Sequence, residues 1–283
     1  MTYLEEPGIC MSAFYNQLIL KHFFKKIKTH FHFITPHILD AGSGLGFNLP
    51  AIFDIWPKAD VVALDVCKEA LEISKLCFNR EETISNTYLL IEEYGLEDWV
   101  LTDLLESRQI SFPGTRVNIT VNDIINYQES NKHRFDMVIG TEVLQFAADL
   151  EGTLTSLGRL VDKKGYLILS FPNYYRHTSA WVKKHHDKKT GRPAWSPWGE
   201  REHVKENPVN WLTIEKIINQ LNFTIIDRKA ANYLLAWIPF IAKWLKRKKV
   251  HNLGVSYPMI RLGDLVPYVR RYAMNYFILA APN

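Results

Sequence analysis

Two hydrophobic rhythms run along this chain of 283 residues. Between Ser12 and Lys28, Phe14, Leu18, Phe23, Phe24 and Ile27 recur close to helical spacing, which predicts an amphipathic helix. From His37 onward the rhythm shortens. Ile38-Leu39, Val61-Val62-Ala63-Leu64 and Met137-Val138-Ile139 are compact apolar runs, and Val117 to Ile124 alternates β-branched with polar residues. Each predicts a strand. Lys164-Gly165 reads as a turn into a further apolar run, which Pro172 stops. Strand–helix alternation of this kind predicts an α/β fold, a doubly wound and mostly parallel sheet with helices on both faces. The pattern resumes at Trp211–Ala230, a helix then a strand, and at Tyr272–Ala281, a closing strand. Ligands of such sheets bind beyond the carboxyl ends of the strands, where strand order reverses. Asp40, Asp65, Asp123 and Gly140 all stand at such ends, so residues scattered in sequence are expected to converge in space.

The segment Ile38-Leu39-Asp40-Ala41-Gly42-Ser43-Gly44-Leu45-Gly46-Phe47 narrows the ligand class. An apolar run ends in an acid, and three glycines follow at alternating positions. Glycine reaches positive φ and has no Cβ to hold a ligand off the backbone. A dinucleotide fingerprint would need its third glycine where Phe47 stands. A pyrophosphate at a helix N-terminus also wants N–H groups and positive charge, which Asp40 would oppose. A cationic ligand with a free amino group suits the acid better, and a nicotinamide oxidoreductase is disfavoured.

Asp40 to Gly46 resembles the glycine-rich first motif of the class I S-adenosylmethionine (SAM)-dependent methyltransferases, and the later landmarks fall in that family's order. Within it the chain looks most like the small-molecule, quinone-methyltransferase-like group. The resemblance runs from about His37 to Asn173. It implies a Rossmann-like, seven-stranded sheet with helical cap insertions, SAM as cofactor and S-adenosylhomocysteine (SAH) as product. It implies cofactor contacts from Asp40, Gly42, Gly44 and Gly46. Asp65, with Val66 beside it, would accept hydrogen bonds from the ribose hydroxyls; a solvated strand-end acid is the plainer alternative. Asp123 would face the adenine amino group while Ile124 stacks on the ring, the alternative being a turn-forming Asn-Asp pair. Gly140, Thr141 and Glu142 would pass the methionine part of the cofactor.

Bulk properties set limits. The hydrophobic share is 47% and the charged share 23%, ordinary for a globular protein. Cys10, Cys67 and Cys77 make neither a metal-ligand spacing nor a disulfide framework, which favours a reduced, cytoplasmic setting. The first residues lack the basic and apolar regions of a signal peptide. No apolar run reaches the roughly 18 residues of a spanning helix. The net charge of +4 does not by itself imply a nucleic-acid partner.

The expected organisation is one methyltransferase domain over 1–283, its cofactor-binding core at about 30–173, with insertions at about 79–116, 174–209 and 232–268. The first, rich in acids, predicts added helix around Ile91–Tyr94 and Trp99–Glu106, facing water or a dimer partner; monomer and homodimer both stay open. The second follows the fifth strand and is dense in aromatic and basic residues, so it is expected beside the reactive methyl. Tyr174, Tyr175, Arg176, Trp198 and Arg201 are its candidate substrate contacts. In the third, Trp237, Phe240, Ile241 and Trp244 share one helical face, with Lys243, Lys246 and Arg247 on another. Such a helix serves as a lid over a pocket. A second reading is peripheral contact of 237–249 with an anionic membrane.

Methyl transfer needs a nucleophile held in line behind the methyl group. A hydroxyl acceptor also needs a base, for which His177 and His203 are the candidates. Related quinone O-methyltransferases carry an acid and a histidine after the fourth strand, where a metal can bind. Here Glu142 remains, but Gln145 and Phe146 follow, and no metal is expected. The reading is methyl transfer to a small or medium, anionic or lipophilic, natural-product-like acceptor, at oxygen. N- or C-methylation of a peptide or other natural product is the alternative within the class, and a non-catalytic SAM-binding partner or sensor the alternative outside it.

Overall fold

A computed structural model describes residues 9–30, 35–96, 101, 104–105, 108, 116–173, 209–231, 265–266, 270, 273 and 275–283. In chain order its elements are α1 (Ile9–His30), β1 (His37–Ala41), α2 (Leu49–Ile55), β2 (Asp60–Asp65), α3 (Lys68–Lys75), α4 (Arg80–Ser85), α5 (Thr87–Glu92), β3 (Val117–Val121), α6 (Ile124–Ser130) and β4 (Phe135–Thr141). A 3₁₀ turn at Leu144–Phe146 precedes α7 (Leu150–Leu160), β5 (Val161–Pro172), α8 (Trp211–Gln220), β6 (Phe223–Ala231) and β7 (Asn275–Pro282). The strands among the described residues form one seven-stranded sheet of order β3-β2-β1-β4-β5-β7-β6. This is the expected mostly parallel, doubly wound α/β architecture. β1 pairs in parallel with β2 on one side and with β4 on the other. The chain thus runs outward through β2 and β3, then returns across β1 to β4. The carboxyl ends of β1 and β4 flank that reversal, where such sheets bind ligands.

By its internal contacts the chain divides into two compact units. The first comprises 1–141, 152–168 and 282. Its strands β1, β2 and β4 are buried on both faces, which is why they read as continuous apolar runs. α1 buries Ile19, Leu20, Phe23, Phe24 and Ile27 and packs on α2, where Phe24 meets Trp56 at 5.0 Å between ring centroids. Lys21 pairs with Asp54 at 2.8 Å, and Lys28 Nζ donates to the Ile55 carbonyl at 3.0 Å. Pro50 in the first turn of α2 sets φ for the helix and needs no N–H partner.

Within 79–116 the described residues form α4 and α5; α5 ends at Glu92, so it meets the predicted Ile91–Tyr94 helix only at its start, and most of Trp99–Glu106 lies outside the described residues. Asn79 starts α4 by accepting from Glu82 N–H at 2.8 Å. Leu90, Leu96, Leu101 and Leu104 are buried in one cluster with Leu45 of the glycine segment and with Ala70, Ile73 and Cys77. The described part of the insertion therefore packs on α3 and on the back of that segment.

The second unit comprises 142–151, 169–281 and 283. Its α8 starts at Asn210, whose side chain accepts from Thr213 N–H at 3.0 Å, and Asn222 at φ +60° makes the turn into β6. Arg228 on β6 makes a bidentate pair with Glu215 on α8 at 2.7 and 2.9 Å, and the Tyr276 hydroxyl donates to the same Glu215 at 3.2 Å. Burial and the Glu215 charge push the Tyr276 phenol well above its usual range. Among the described residues no helix is long and apolar enough to cross a membrane.

Candidate cofactor site

The site is built on the turn from β1 into α2. Gly42, Gly44 and Gly46 all take positive φ, at +74°, +51° and +72°. That conformation places the loop's N–H groups on β2. Gly42 and Ser43 N–H both donate to the Leu64 carbonyl, at 2.8 and 3.0 Å, and Gly44 N–H donates to Asp65 Oδ2 at 2.8 Å. Gly46 N–H closes back on the Ser43 carbonyl at 2.8 Å. These four donors are consumed within the fold.

Asp40, at the end of β1, is fully buried beneath this loop. Its carboxylate accepts from Ser43 Oγ at 2.8 Å and from Asn48 Nδ2 at 2.8 Å. Asn48 Nδ2 also reaches Thr141 Oγ1 at the end of β4, at 2.7 Å. Asn48 occupies the N-cap position of α2 but makes no capping bond; its side chain joins the ends of β1 and β4 instead. Burial pushes the Asp40 carboxyl up to about 6 against the pull of its Asn48 and Ser43 hydrogen bonds, and the Asp65 charge adds to the rise. A negative charge is thus held, at a cost, under the loop.

Asp65 is 7% exposed. Besides Gly44 N–H it accepts from Cys67 N–H through Oδ1 at 2.9 Å, so it ties the glycine loop to the start of α3. The neighbouring Val66 is 67% exposed, an apolar side chain left open beside the acid. Asp65→Ala removes the acceptor of two N–H groups at once, each costing about 1–3 kcal/mol when left unmet. Calorimetric titration is expected to show SAH affinity lowered at least tenfold, with unchanged affinity excluding Asp65 from the site.

Asp123 stands in the turn after β3, which ends at Val121 rather than continuing to Ile124. It caps α6, accepting through Oδ1 from Ile125 N–H at 2.8 Å and Asn126 N–H at 3.4 Å. Ile124 is 8% exposed and presents little surface. Gly140 and Thr141 close β4 as expected. Glu142 belongs to the second unit, where it holds φ +54°, unusual for a residue with a side chain. There its N–H donates to the Ser170 carbonyl at 2.9 Å, and its Oε1 accepts from Ser170 Oγ and Asn275 Nδ2, both at 3.1 Å. Among the described residues no group of three or more His, Cys, Asp or Glu is placed to hold a metal ion. His177, His203, Tyr174, Tyr175, Arg176, Trp198 and Arg201, and the segment 237–249, lie outside the described residues.

Sequence reasoning missed Asn48, although an Asn directly ahead of Leu49-Pro50 is a legible helix-start signal. It also missed Gln17, whose Nε2 donates to the Phe47 carbonyl at 2.6 Å and ties α1 to the loop.

The glycines test whether SAM fits. A Cβ built at Gly44 would meet no atom nearer than Asp65 Oδ2 at 4.0 Å, so glycine there leaves open space above the acid. A Cβ at Gly46 would lie 2.5 Å from Ser74 Oγ and 2.9 Å from Leu49 Cδ1, so that glycine serves packing. An open position over Asp65 and the buried Asp40 carboxylate below suit a nucleoside that carries positive charge.

Fold and glycine loop together are those of a ligand-binding α/β protein. A sequence model described as a methyltransferase domain matches residues 13–228; the chain belongs to that family and is a class I, SAM-dependent methyltransferase. Solved structures of similar fold include the magnesium protoporphyrin IX methyltransferase of Synechocystis PCC 6803 with bound SAH, at 12% identity, 94% of this chain and 83% of that chain covered, and a TM-score of 0.52. A SAM-dependent methyltransferase of Clostridium acetobutylicum ATCC 824 is similar at 12% identity, with coverages of 93% and 89% and a TM-score of 0.50. A protein of Listeria monocytogenes described as a SAM-dependent methyltransferase matches at 12%, with 92% and 97% covered and a TM-score of 0.50. At these identities the likeness is one of fold. No curated protein sequence matches the chain.

Proposed function

We propose that this methyltransferase moves a methyl group from SAM to oxygen of a small or medium acceptor that is anionic or lipophilic, in natural-product-type chemistry. The observation that carries the cofactor half of this reading is the glycine loop, with its N–H groups spent on Leu64 and Asp65 and its open face at Gly44. When bound, SAM supplies an electrophilic methyl on a sulfonium, and SAH remains after transfer. Asp65 offers its remaining lone pairs to the ribose hydroxyls, and Val66 gives an apolar contact beside them. Asp123 stands toward the adenine amino group. Gly140 and Thr141 line the path of the methionine part, and the Asp40 charge favours its cationic end.

The acceptor half rests on composition. Arg176, Lys183, Lys184, Arg192 and Arg201 follow the fifth strand within a run of aromatic residues. They fit a planar acid better than an amine. A hydroxyl acceptor gives up its proton, for which His177 and His203 are the chain's candidates; a carboxylate acceptor needs no base.

Two measurements test this. Calorimetric titration should give micromolar affinity for SAM and SAH and none for NAD; binding of NAD alone would remove the cofactor reading. An SAH-release screen should then favour aromatic carboxylates and phenols over amines. Full activity in a variant with all five basic residues replaced by Ala would remove the anionic acceptor.

A further inference from the structure

Arg108 is the largest side chain in the described structure that is essentially sealed from solvent, at 1% exposed. It belongs to the insertion at 79–116, beyond the strands that bear the cofactor site. Its Nε donates to the Cys77 carbonyl just after α3, and Nη2 donates to the Leu45 carbonyl at 2.7 Å. Leu45 lies between Gly44 and Gly46. The guanidinium carbon also stands 5.8 Å from the Phe47 ring centroid. Arg108 Nη2 would stand 3.4 Å from a Cβ built at Gly46, in van der Waals contact, so the guanidinium lies against the loop at that glycine too.

Burying a guanidinium is costly, and leucine would fill an apolar cluster at lower cost. What leucine lacks is a rigid fork of N–H donors that fixes two carbonyls at a set separation. One of those carbonyls belongs to the loop whose positive-φ glycines hold it open, and the other to the turn that follows α3, the helix that starts beside Asp65. We propose that Arg108 is a positioning residue of the cofactor site: from the insertion it clamps the Leu45 carbonyl and holds the glycine loop in the conformation that receives SAM. The insertion then has a role in cofactor binding without touching the cofactor. This rests on the reading that the glycine loop is the cofactor site.

The test compares Arg108→Lys, Arg108→Met, Leu90→Ala and Asp65→Ala in the full chain, using SAH as the probe. Leu90 is fully buried in the same cluster but carries no hydrogen bond to the loop carbonyl, so Leu90→Ala reports loss of packing alone. Arg108→Lys keeps the charge but cannot bridge both carbonyls. It is expected to lower SAH affinity at least tenfold, and to speed hydrogen exchange at Leu45 to Asn48 while the β4 amides stay protected. Leu90→Ala is expected to lower the melting temperature with SAH affinity within twofold of the parent at a temperature where it is folded. If Arg108→Met fails to fold, Arg108→Lys decides. Affinity within twofold in folded Arg108→Lys overturns the proposal, as does a loss in Leu90→Ala equal to that in Arg108→Lys. In the first case Asp65→Ala separates the causes: weakened binding there means only the Arg108 role falls, while intact binding there means the loop is not the cofactor site and both readings fall.

Discussion

Gly44→Ala is expected to fold and to lose SAM binding, whereas Gly46→Ala is expected to lose stability first. Both residues hold positive φ, so an added Cβ costs each about 1–2 kcal/mol of backbone strain. Beyond that they part. At position 44 the new methyl group enters open space bounded by Asp65 Oδ2 at 4.0 Å, and nothing in the protein has to move. On the proposed reading that space receives the ligand against the backbone, so affinity should fall at least tenfold while the melting temperature drops by only a few degrees. At position 46 the methyl group arrives 2.5 Å from Ser74 Oγ and 2.9 Å from Leu49 Cδ1, both in the packed interior. Overpacking of this kind adds about 1–3 kcal/mol. With roughly 2–4 °C lost per kcal/mol in a chain of this size, Gly46→Ala should melt about 5–15 °C lower. Ser74→Gly in the Gly46→Ala background should recover part of that loss, because removing Ser74 Oγ relieves the nearest clash. Thermal melts and SAH titrations of the three variants check this. Normal SAM binding by folded Gly44→Ala would show that the open space is not the ligand's, and a parental melting temperature in Gly46→Ala would show that the interior yields.

The strand ends were readable because each rests on a short local pattern. Apolar runs closed by Asp40, Asp65 and Thr141 end at or beside the strand ends, and the glycine spacing disfavours a dinucleotide loop. What escaped depends on distance along the chain. Asn48 finds Thr141 at 93 residues' separation and Arg108 finds Leu45 at 63, and no local periodicity encodes either meeting. Asn48 also carries a misleading local signal, since an Asn before a helix reads as its cap, yet the buried Asp40 carboxylate claims its side chain. Gly165 misled in the opposite sense. It reads as a turn, but β5 begins at Val161 and Gly165 lies within the strand. A Cβ there would sit 2.8 Å from the Phe135 carbonyl oxygen of β4, so glycine serves close strand approach. At Asp123 the strand reading ran on to Ile124 although the alternation Val117, Ile119, Val121 stops there: Asp123 takes the next apolar place and caps α6, and Ile124 begins the helix.

The second large effect is expected from Asp40 and pH. Burial pushes its carboxyl up to about 6 in the folded chain, from the ordinary 3.8 of an unfolded one. The folded state therefore holds the proton more tightly between those values, and the stability this contributes is present below about pH 4 and lost as pH rises through about 6. Two pH units correspond to about 3 kcal/mol. Asp40→Asn keeps the shape, can still accept from Asn48, and removes the charge. Its melting temperature relative to the parent should therefore rise between pH 4.5 and pH 7. Ligand affinity should move the other way. SAM carries one more positive charge than SAH, and an ionised Asp40 favours that charge. Parental affinity for SAM should increase as pH rises from 5 to 7, more than affinity for SAH does, and Asp40→Asn should lose about tenfold of its preference for SAM, equivalent to about 1.4 kcal/mol. A melting difference independent of pH would place the Asp40 titration elsewhere. An unchanged SAM-to-SAH ratio in Asp40→Asn would confine Asp40 to holding Ser43 and Asn48. The two trends oppose each other for a physical reason: one buried charge burdens the empty fold, and a cation bound near it, as proposed, would relieve that burden.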